Sequence, residues 1–90
     1  MQTYILTIQM STVPKQDLHN NISTLFVKVL NTIKGKSYYY IKAIAEGRVG
    51  RNITDLYCKG DYIIVESYIK YDANIEANVL VITGEYPIFF

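Results

Sequence analysis

The sequence predicts one small all-β domain that contains a single short helix. Its 90 residues are the length of one domain. Isoleucine, valine, threonine and tyrosine alternate with polar residues over most of the chain, a pattern typical of strands with one buried face. The alternation breaks at residues 47–60, where apolar residues recur at helical spacing.

The composition is that of a globular protein with little net charge. Hydrophobic residues make up 50% of the chain and charged residues 19%, which excludes a disordered chain. The net charge of +1 means that any binding of phosphate must depend on local basic patches. Apolar runs are too short for a membrane-spanning helix, and the first residues lack the basic start of a signal peptide.

The sequence gives no indication of catalysis. Cys58 and His19 are the single cysteine and the single histidine, so we expect no disulfide, no metal cluster and no Cys–His pair. A free thiol fits a reducing compartment. With no nucleophile–base pair and no phosphate-binding loop, we predict a protein that is not an enzyme and that carries no cofactor and no metal.

Alternation defines the first two predicted strands, at residues 3–12 and 22–32. The stretch between them, VPKQDLHNN, is expected to be a loop because it contains Pro14 and an asparagine pair. Phe26 and Lys28 are expected on the outer face of strand two. The expected inner-face residues of both strands are Tyr4, Leu6, Ile8, Met10, Leu25, Val27 and Val29.

The stretch KGKSYYYIK, residues 34–42, turns the chain and begins strand three at residues 37–45. Lys42 decides which residues face water, because burying an unpaired ammonium group is costly. Tyr38 and Tyr40 therefore share the outer face with Lys42, while Tyr39 and Ile41 point inward.

The rest of the chain is predicted to form the helix and two more strands. Val49, Ile53 and Leu56 make one apolar face of the helix, with Asn52 or Gly50 as its cap and Gly60 at its end. Strand four covers residues 62–71, with Tyr68 and Lys70 among its outer residues. Strand five covers residues 76–83. The domain is expected to span residues 1–84, followed by an apolar tail at residues 85–90.

Three strands, a helix and two more strands is the element order of the OB-fold. We therefore predict a five-stranded Greek-key barrel with one short helix between strands three and four.

The ordered motifs resemble those of the single-stranded-DNA-binding (SSB) protein family. Gly47-Arg48 matches its glycine–basic step, Lys59-Gly60-Asp61 its helix exit, and Ile64-Val65-Glu66 the strand that follows. The opening TYILTIQMSTVPK is similar to the first strand and proline-bearing turn of the family. The likeness is greatest to the short SSB-like reading frames of algal plastids and cyanobacteria, and it implies a homo-oligomer.

The resemblance implies binding of single-stranded nucleic acid, with bases stacked on outer aromatic residues of strands two and three. Carried over by position, Tyr40 stacks and Lys42 holds phosphate. Other residues assigned to the same outer face extend this site. The candidate nucleic-acid-binding residues are Phe26, Lys28, Tyr38, Tyr40, Lys42, Arg48, Tyr68 and Lys70.

A second interpretation is that the OB-fold serves as a small docking subunit of a larger protein assembly. The chain has no tryptophan, and Glu46 stands where the family has an aromatic residue. The tail is also unusually apolar for a chain end. Its candidate docking residues are Tyr86, Ile88, Phe89 and Phe90. Isoleucine, tyrosine, asparagine and lysine are plentiful and have AT-rich codons, which indicates an organellar or AT-rich genome. Together with the resemblance to algal plastid reading frames, this points to a plastid, where the assembly would be a photosystem complex at the stroma or the stromal face of the thylakoid; the alternative location is the cytoplasm.

Overall fold

Six strands and one helix make up the described part of the chain. The structure, a computed structural model, describes residues 2–30 and 38–88. The predicted KGK turn, the end of strand two and the start of strand three lie partly or wholly outside these residues. The elements are β1 (Tyr4–Met10), β2 (Lys15–Asp17), β3 (Ile22–Val29), β4 (Tyr39–Glu46), α1 (Gly47–Leu56), β5 (Tyr62–Asp72) and β6 (Ala77–Pro87).

Five of these strands close into a barrel. The sheet runs in the order β1-β5-β6-β4-β3-β2, and a further pairing of β1 with β3 closes the ring. All pairings in the ring are antiparallel except that of β4 with β6, which is parallel. With α1 between the third and fourth strands of the barrel, this is the predicted all-β OB-fold.

Alternate residues of the barrel strands fill its interior. The alternation follows from the pleat of a strand, which turns successive side chains to opposite faces. Burying each such aliphatic side chain stabilises the fold by about 1.5–3 kcal/mol. The fully or almost fully buried core residues are Ile8, Met10, Leu25, Val27, Val29, Ala43, Ala45, Ile53, Ile63, Val65, Leu80 and Ile82.

Helix α1 packs on the barrel through Ile53, which belongs to the core, and Gly50, which is also buried. The Ser23 hydroxyl donates a hydrogen bond to the Gly50 carbonyl at 2.8 Å and so ties β3 to the helix. A Cβ atom on Gly50 would lie 2.3 Å from the Ala45 carbonyl oxygen, which is closer than atoms can approach. Glycine at this position therefore lets the helix lie directly against β4.

The predicted ends of the helix were wrong. Glu46 is the N-cap, without a hydrogen bond from its side chain, so neither Gly50 nor Asn52 starts the helix. Leu56, expected on the apolar face, is the last residue of the helix and is 66% exposed. Gly60, with φ of +95°, lies in the following turn and not at the helix end.

The strands differ from the prediction at three places. The expected loop after strand one contains β2, three residues long, held by its pairing with β3. The last strand runs to Pro87, four residues beyond its predicted end, and crosses the expected boundary at residue 84. Tyr39, expected to point inward, is 36% exposed, because it is the first residue of β4 and precedes the buried part of that strand.

Strand β6 has four consecutive buried residues, followed by a β-bulge. Glu66 pairs with Gly84 and Ser67 with Ile82, which leaves Thr83 without a partner residue on β5. The Thr83 hydroxyl instead donates to the Glu66 carbonyl oxygen at 3.2 Å. The buried run, residues 79–82, lies before the bulge, and its alternating side chains are covered on both faces of the sheet.

Candidate nucleic-acid interface

Aromatic and basic side chains alternate across the outer face of β3 and β4. Register places Phe26 opposite Lys42, and Lys28 opposite Tyr40. Directly opposed residues of an antiparallel pair have Cβ atoms about 4.5–5.5 Å apart, so each lysine stands beside an aromatic ring. These four residues, with Tyr38, form what we call the outer aromatic face.

The rings of the outer aromatic face are exposed and arranged at right angles. Phe26 is 49% exposed, Tyr38 46% and Tyr40 60%. The centroids of Tyr38 and Tyr40 are 5.6 Å apart with an interplanar angle of 81°, an edge-to-face pair. The Lys28 ammonium lies 4.2 Å from the centroid of the Tyr38 ring, within the range of a cation–π contact.

Two grooves meet at Phe26 and Lys42. The hairpin groove, about 480 Å³, lies between the outer aromatic face and the β5–β6 turn, and Phe26, Tyr40, Ile41, Lys42, Ile75, Ala77 and Asn78 line it. The loop groove, about 390 Å³, lies towards the β1–β2 loop. Its lining residues are Thr12, Val13, Lys15, Thr24, Leu25, Phe26 and Lys42.

The two grooves make a continuous path across the barrel, with a loop at each end. The sequence did not predict that Lys15, Ile75 and Asn78 line this path, because it indicated only turns for the β1–β2 and β5–β6 connections. The available signal was the fold itself, since OB-folds bind ligands on this face and between these two loops.

The path carries positive charge that is not neutralised by neighbouring carboxylates. Within the described part of the chain, Lys15, Lys28 and Lys42 have no ion-pair partner. Glu46 lies at the far end of β4, opposite Ile22, and lines neither groove. The lysines are therefore available to anionic groups of a ligand.

The other candidate residues lie beside this path. Tyr68 pairs with Val81, which pairs with Ile44, so Tyr68 is two strands away from β4. It lines a separate hollow of about 240 Å³ that also contains Glu46. Lys70 pairs with Val79 and is exposed, and Arg48 is exposed in the first turn of α1.

The candidate docking residues lie on another side of the barrel. Tyr86 pairs with Ile64 of β5 and is 52% exposed, while Ile88 is half-buried. Phe89 and Phe90 lie outside the described residues. Ile5 and Tyr62 are exposed on the neighbouring strands β1 and β5.

Away from these surfaces, a tyrosine–glutamate pair joins the helix end to β6. The Tyr57 hydroxyl donates to a Glu85 carboxylate oxygen at 2.5 Å. Burial, and then this hydrogen bond, raise the pKa of the Tyr57 hydroxyl well above its usual value.

Among the described residues there is no group of three or more acidic, histidine or cysteine side chains placed to hold a metal ion. None of the helices described is long and apolar enough to cross a membrane.

Comparison with known proteins gives matches in structure and none in sequence. No protein-family model and no curated protein matches the sequence. The small single-stranded DNA-binding protein of Streptomyces coelicolor superposes with a TM-score of 0.76 at 10% identity, over 97% of this chain and 92% of that protein. The SSB domain of a Synechococcus protein superposes with a TM-score of 0.70 at 17% identity, over 96% of this chain and 94% of that domain. The second single-stranded DNA-binding protein of Mycobacterium smegmatis superposes with a TM-score of 0.73 at 14% identity, over 96% of this chain and 87% of that protein. The chain therefore has an OB-fold of the kind found in these single-stranded-DNA-binding proteins.

Proposed function

We propose that the protein binds single-stranded nucleic acid across the outer aromatic face. Bases stack on Phe26, Tyr38 and Tyr40, and the backbone phosphates contact Lys28 and Lys42. Lys15 holds the strand at the loop end of the path. Binding is non-catalytic.

The observation that carries this proposal is the cross-strand pairing of exposed rings with lysines that have no ion-pair partner among the described residues. A single strand has a flat base and an anionic phosphate at each nucleotide, so it matches a surface on which rings and ammonium groups alternate. Stacking contributes about 1–3 kcal/mol per base and tolerates any base. The structural likeness to single-stranded-DNA-binding proteins supports the same interpretation.

Fluorescence anisotropy with a labelled oligothymidylate tests the proposal. An oligomer of about 16 nucleotides covers the largest site expected for one OB-fold. If the three lysines of the path neutralise phosphates, the log–log plot of affinity against salt has a slope of about −2. A chain that fails to bind this oligomer even at low salt does not have the proposed function.

A second candidate function is protein binding by the outer face of β1, β5 and β6. Ile5, Tyr62 and Tyr86 are exposed there, and Tyr86 lies directly opposite Ile64. Exposed apolar groups that cluster on a surface usually mark an interface. This face is on strands other than β3 and β4, so both functions can be present in one molecule.

Light scattering coupled to size exclusion tests the second function as self-association. A Tyr86→Ser variant should shift an oligomer of the natural protein to a smaller species, since it removes exposed apolar area from the face. Tyr71→Ser is the matched control, because Tyr71 is also exposed but lies at the hairpin end of β5. If the natural protein is a monomer, self-association by this face is ruled out.

A further inference from the structure

A lysine and a tyrosine of the outer aromatic face meet diagonally across the sheet. Register places Lys28 of β3 directly opposite Tyr40, so Tyr38, two residues earlier on the same face, is its diagonal neighbour. The Lys28 ammonium lies over the ring of this diagonal neighbour, 4.2 Å from its centroid. Since the ring attracts the cation, this contact favours one of the several directions that the long side chain of Lys28 could take.

The ring holds the ammonium group without neutralising its charge. Lys28 has no carboxylate partner among the described residues, and the face of an aromatic ring attracts a cation although the ring has no net charge. An ammonium group has three donors, and the ring occupies only one side of it. Lys28 is therefore held in place and keeps donors and charge for an anion.

Lys42, the other lysine of this face, has no such support. It stands opposite Phe26, but within the described ranges no ring lies at cation–π distance from its ammonium group. A lysine has a flexible four-carbon stem and loses much of its freedom when it binds a phosphate. For Lys28 the contact with the ring reduces this loss, so the two lysines are not equivalent.

We propose that Tyr38 is a positioning residue, whose ring holds the Lys28 ammonium where a phosphate of the bound strand reaches it. This inference rests on the proposed function and adds to it a role for Tyr38 in binding the backbone. A ring has two faces, and the side chain of Tyr38 is 46% exposed. Tyr38 therefore holds the ammonium on one face and leaves the other to a base.

A Tyr38→Leu variant tests the inference by fluorescence anisotropy at low salt, with a labelled oligomer of abasic deoxyribose phosphate as long as the oligothymidylate. This probe has phosphates and no bases, so the loss of stacking alone leaves its affinity unchanged. We expect the variant to bind it about two- to fivefold more weakly, as for the loss of one exposed cation–π contact. Tyr38→Phe should bind it as the natural protein does, because phenylalanine keeps the ring.

Tyr40→Leu is the matched control for the loss of a ring. Tyr40 is directly opposite Lys28 in the sheet, but the ammonium lies over Tyr38. The control should bind oligothymidylate more weakly, because a stacking ring is lost, and should bind the abasic oligomer as the natural protein does.

A Lys28→Gln background shows whether the effect of Tyr38 passes through the lysine. In that background Tyr38→Leu should cause no further loss of affinity for the abasic oligomer. A further loss there overturns the inference, and so does an unchanged or higher affinity of the single Tyr38→Leu variant. A natural protein that binds oligothymidylate but not the abasic oligomer overturns it as well. If the natural protein fails to bind oligothymidylate, it is the proposed function that fails.

Discussion

Lys28, Tyr38 and Tyr40 are linked by contacts on the outer aromatic face. The Lys28 ammonium group lies over the ring of Tyr38, which in turn meets Tyr40 edge to face. Tyr40 is the most exposed ring of the three. Tyr40 also lines the hairpin groove. It is therefore the residue on which stacking should depend most.

Replacing Tyr40 by alanine should weaken oligothymidylate binding by roughly tenfold or more, because stacking is worth about 1–3 kcal/mol per base. Stability should change little, since the side chain is largely exposed. Anisotropy gives the affinity and thermal unfolding gives the stability. Tyr62→Ala is the control, as an exposed tyrosine that lines neither groove and pairs with Gln9, far from both. Equal affinities of the two variants would contradict a stacking role for Tyr40.

The pair formed by Tyr57 and Glu85 should make stability depend on pH in alkaline solution. The folded state raises the pKa of the Tyr57 hydroxyl, whereas the unfolded chain releases this proton near pH 10. The stabilisation is therefore fully present below about pH 10 and is lost as the pH rises above it.

A Tyr57→Phe variant lacks this proton, so its deficit in stability should shrink as the pH increases. Urea unfolding of both proteins at about pH 8 and about pH 10.5 measures the change, on either side of the usual tyrosine pKa. Tyr71→Phe serves as the control for tyrosine ionisation in general. A deficit that stays constant between the two pH values would show that the hydrogen bond is not linked to the tyrosine proton.

At the scale of elements, the attachment of α1 to the barrel depends on close backbone approach. The Gly50 Cα lies against the Ala45 carbonyl, and the Gly50 carbonyl accepts hydrogen bonds from the hydroxyls of Ser23 and Thr54. A side chain at this position would push the helix off β4 and pull Ile53 from the core.

A Gly50→Ala variant should lose about 1–3 kcal/mol of stability, the usual cost of overpacking. Gly84→Ala is the matched control, because a Cβ atom there would meet its neighbours at 3.5 Å, an ordinary contact distance. Chemical denaturation compares the two. Equal stability of both variants would mean that the helix can shift without cost.

The outer aromatic face could be predicted because alternation alone determines which side chains point outward. Phe26, Lys28, Tyr40 and Lys42 all lie on the expected face. One lysine was enough to identify that face, since an ammonium group with no partner stays in water. The alternation within a strand gives no information about which loops flank this face. The two grooves could therefore be found only from the three-dimensional structure.

The elements that sequence reasoning missed lack a local signal. β2 consists of Lys15, Gln16 and Asp17, three polar residues that form a strand only because β3 offers backbone partners. The bulge at Thr83 interrupts the alternation of β6, so the pattern no longer marked one face or the true end of the strand. Both features depend on pairing with distant parts of the chain.

At the scale of the whole molecule, the distribution of charge matters more than its sum. The net charge of +1 provides little long-range attraction for a polyanion. Lys15, Lys28 and Lys42 nevertheless follow the path of the two grooves, and no acidic residue of the described ranges lines either groove. Binding should therefore depend on a few short-range phosphate contacts and have only a moderate dependence on salt.

Lys42 is central to this distribution, because it lines both grooves. A Lys42→Gln variant should bind oligothymidylate more weakly and should reduce the slope of log affinity against log salt by about 0.7, the value for one phosphate contact on a single strand. Lys59→Gln makes the same change of charge in the turn after α1, away from both grooves, and should leave the slope unaltered. Anisotropy titrations at several salt concentrations give both slopes. Equal reductions by the two variants would mean that net charge, and not the path across β3 and β4, holds the strand.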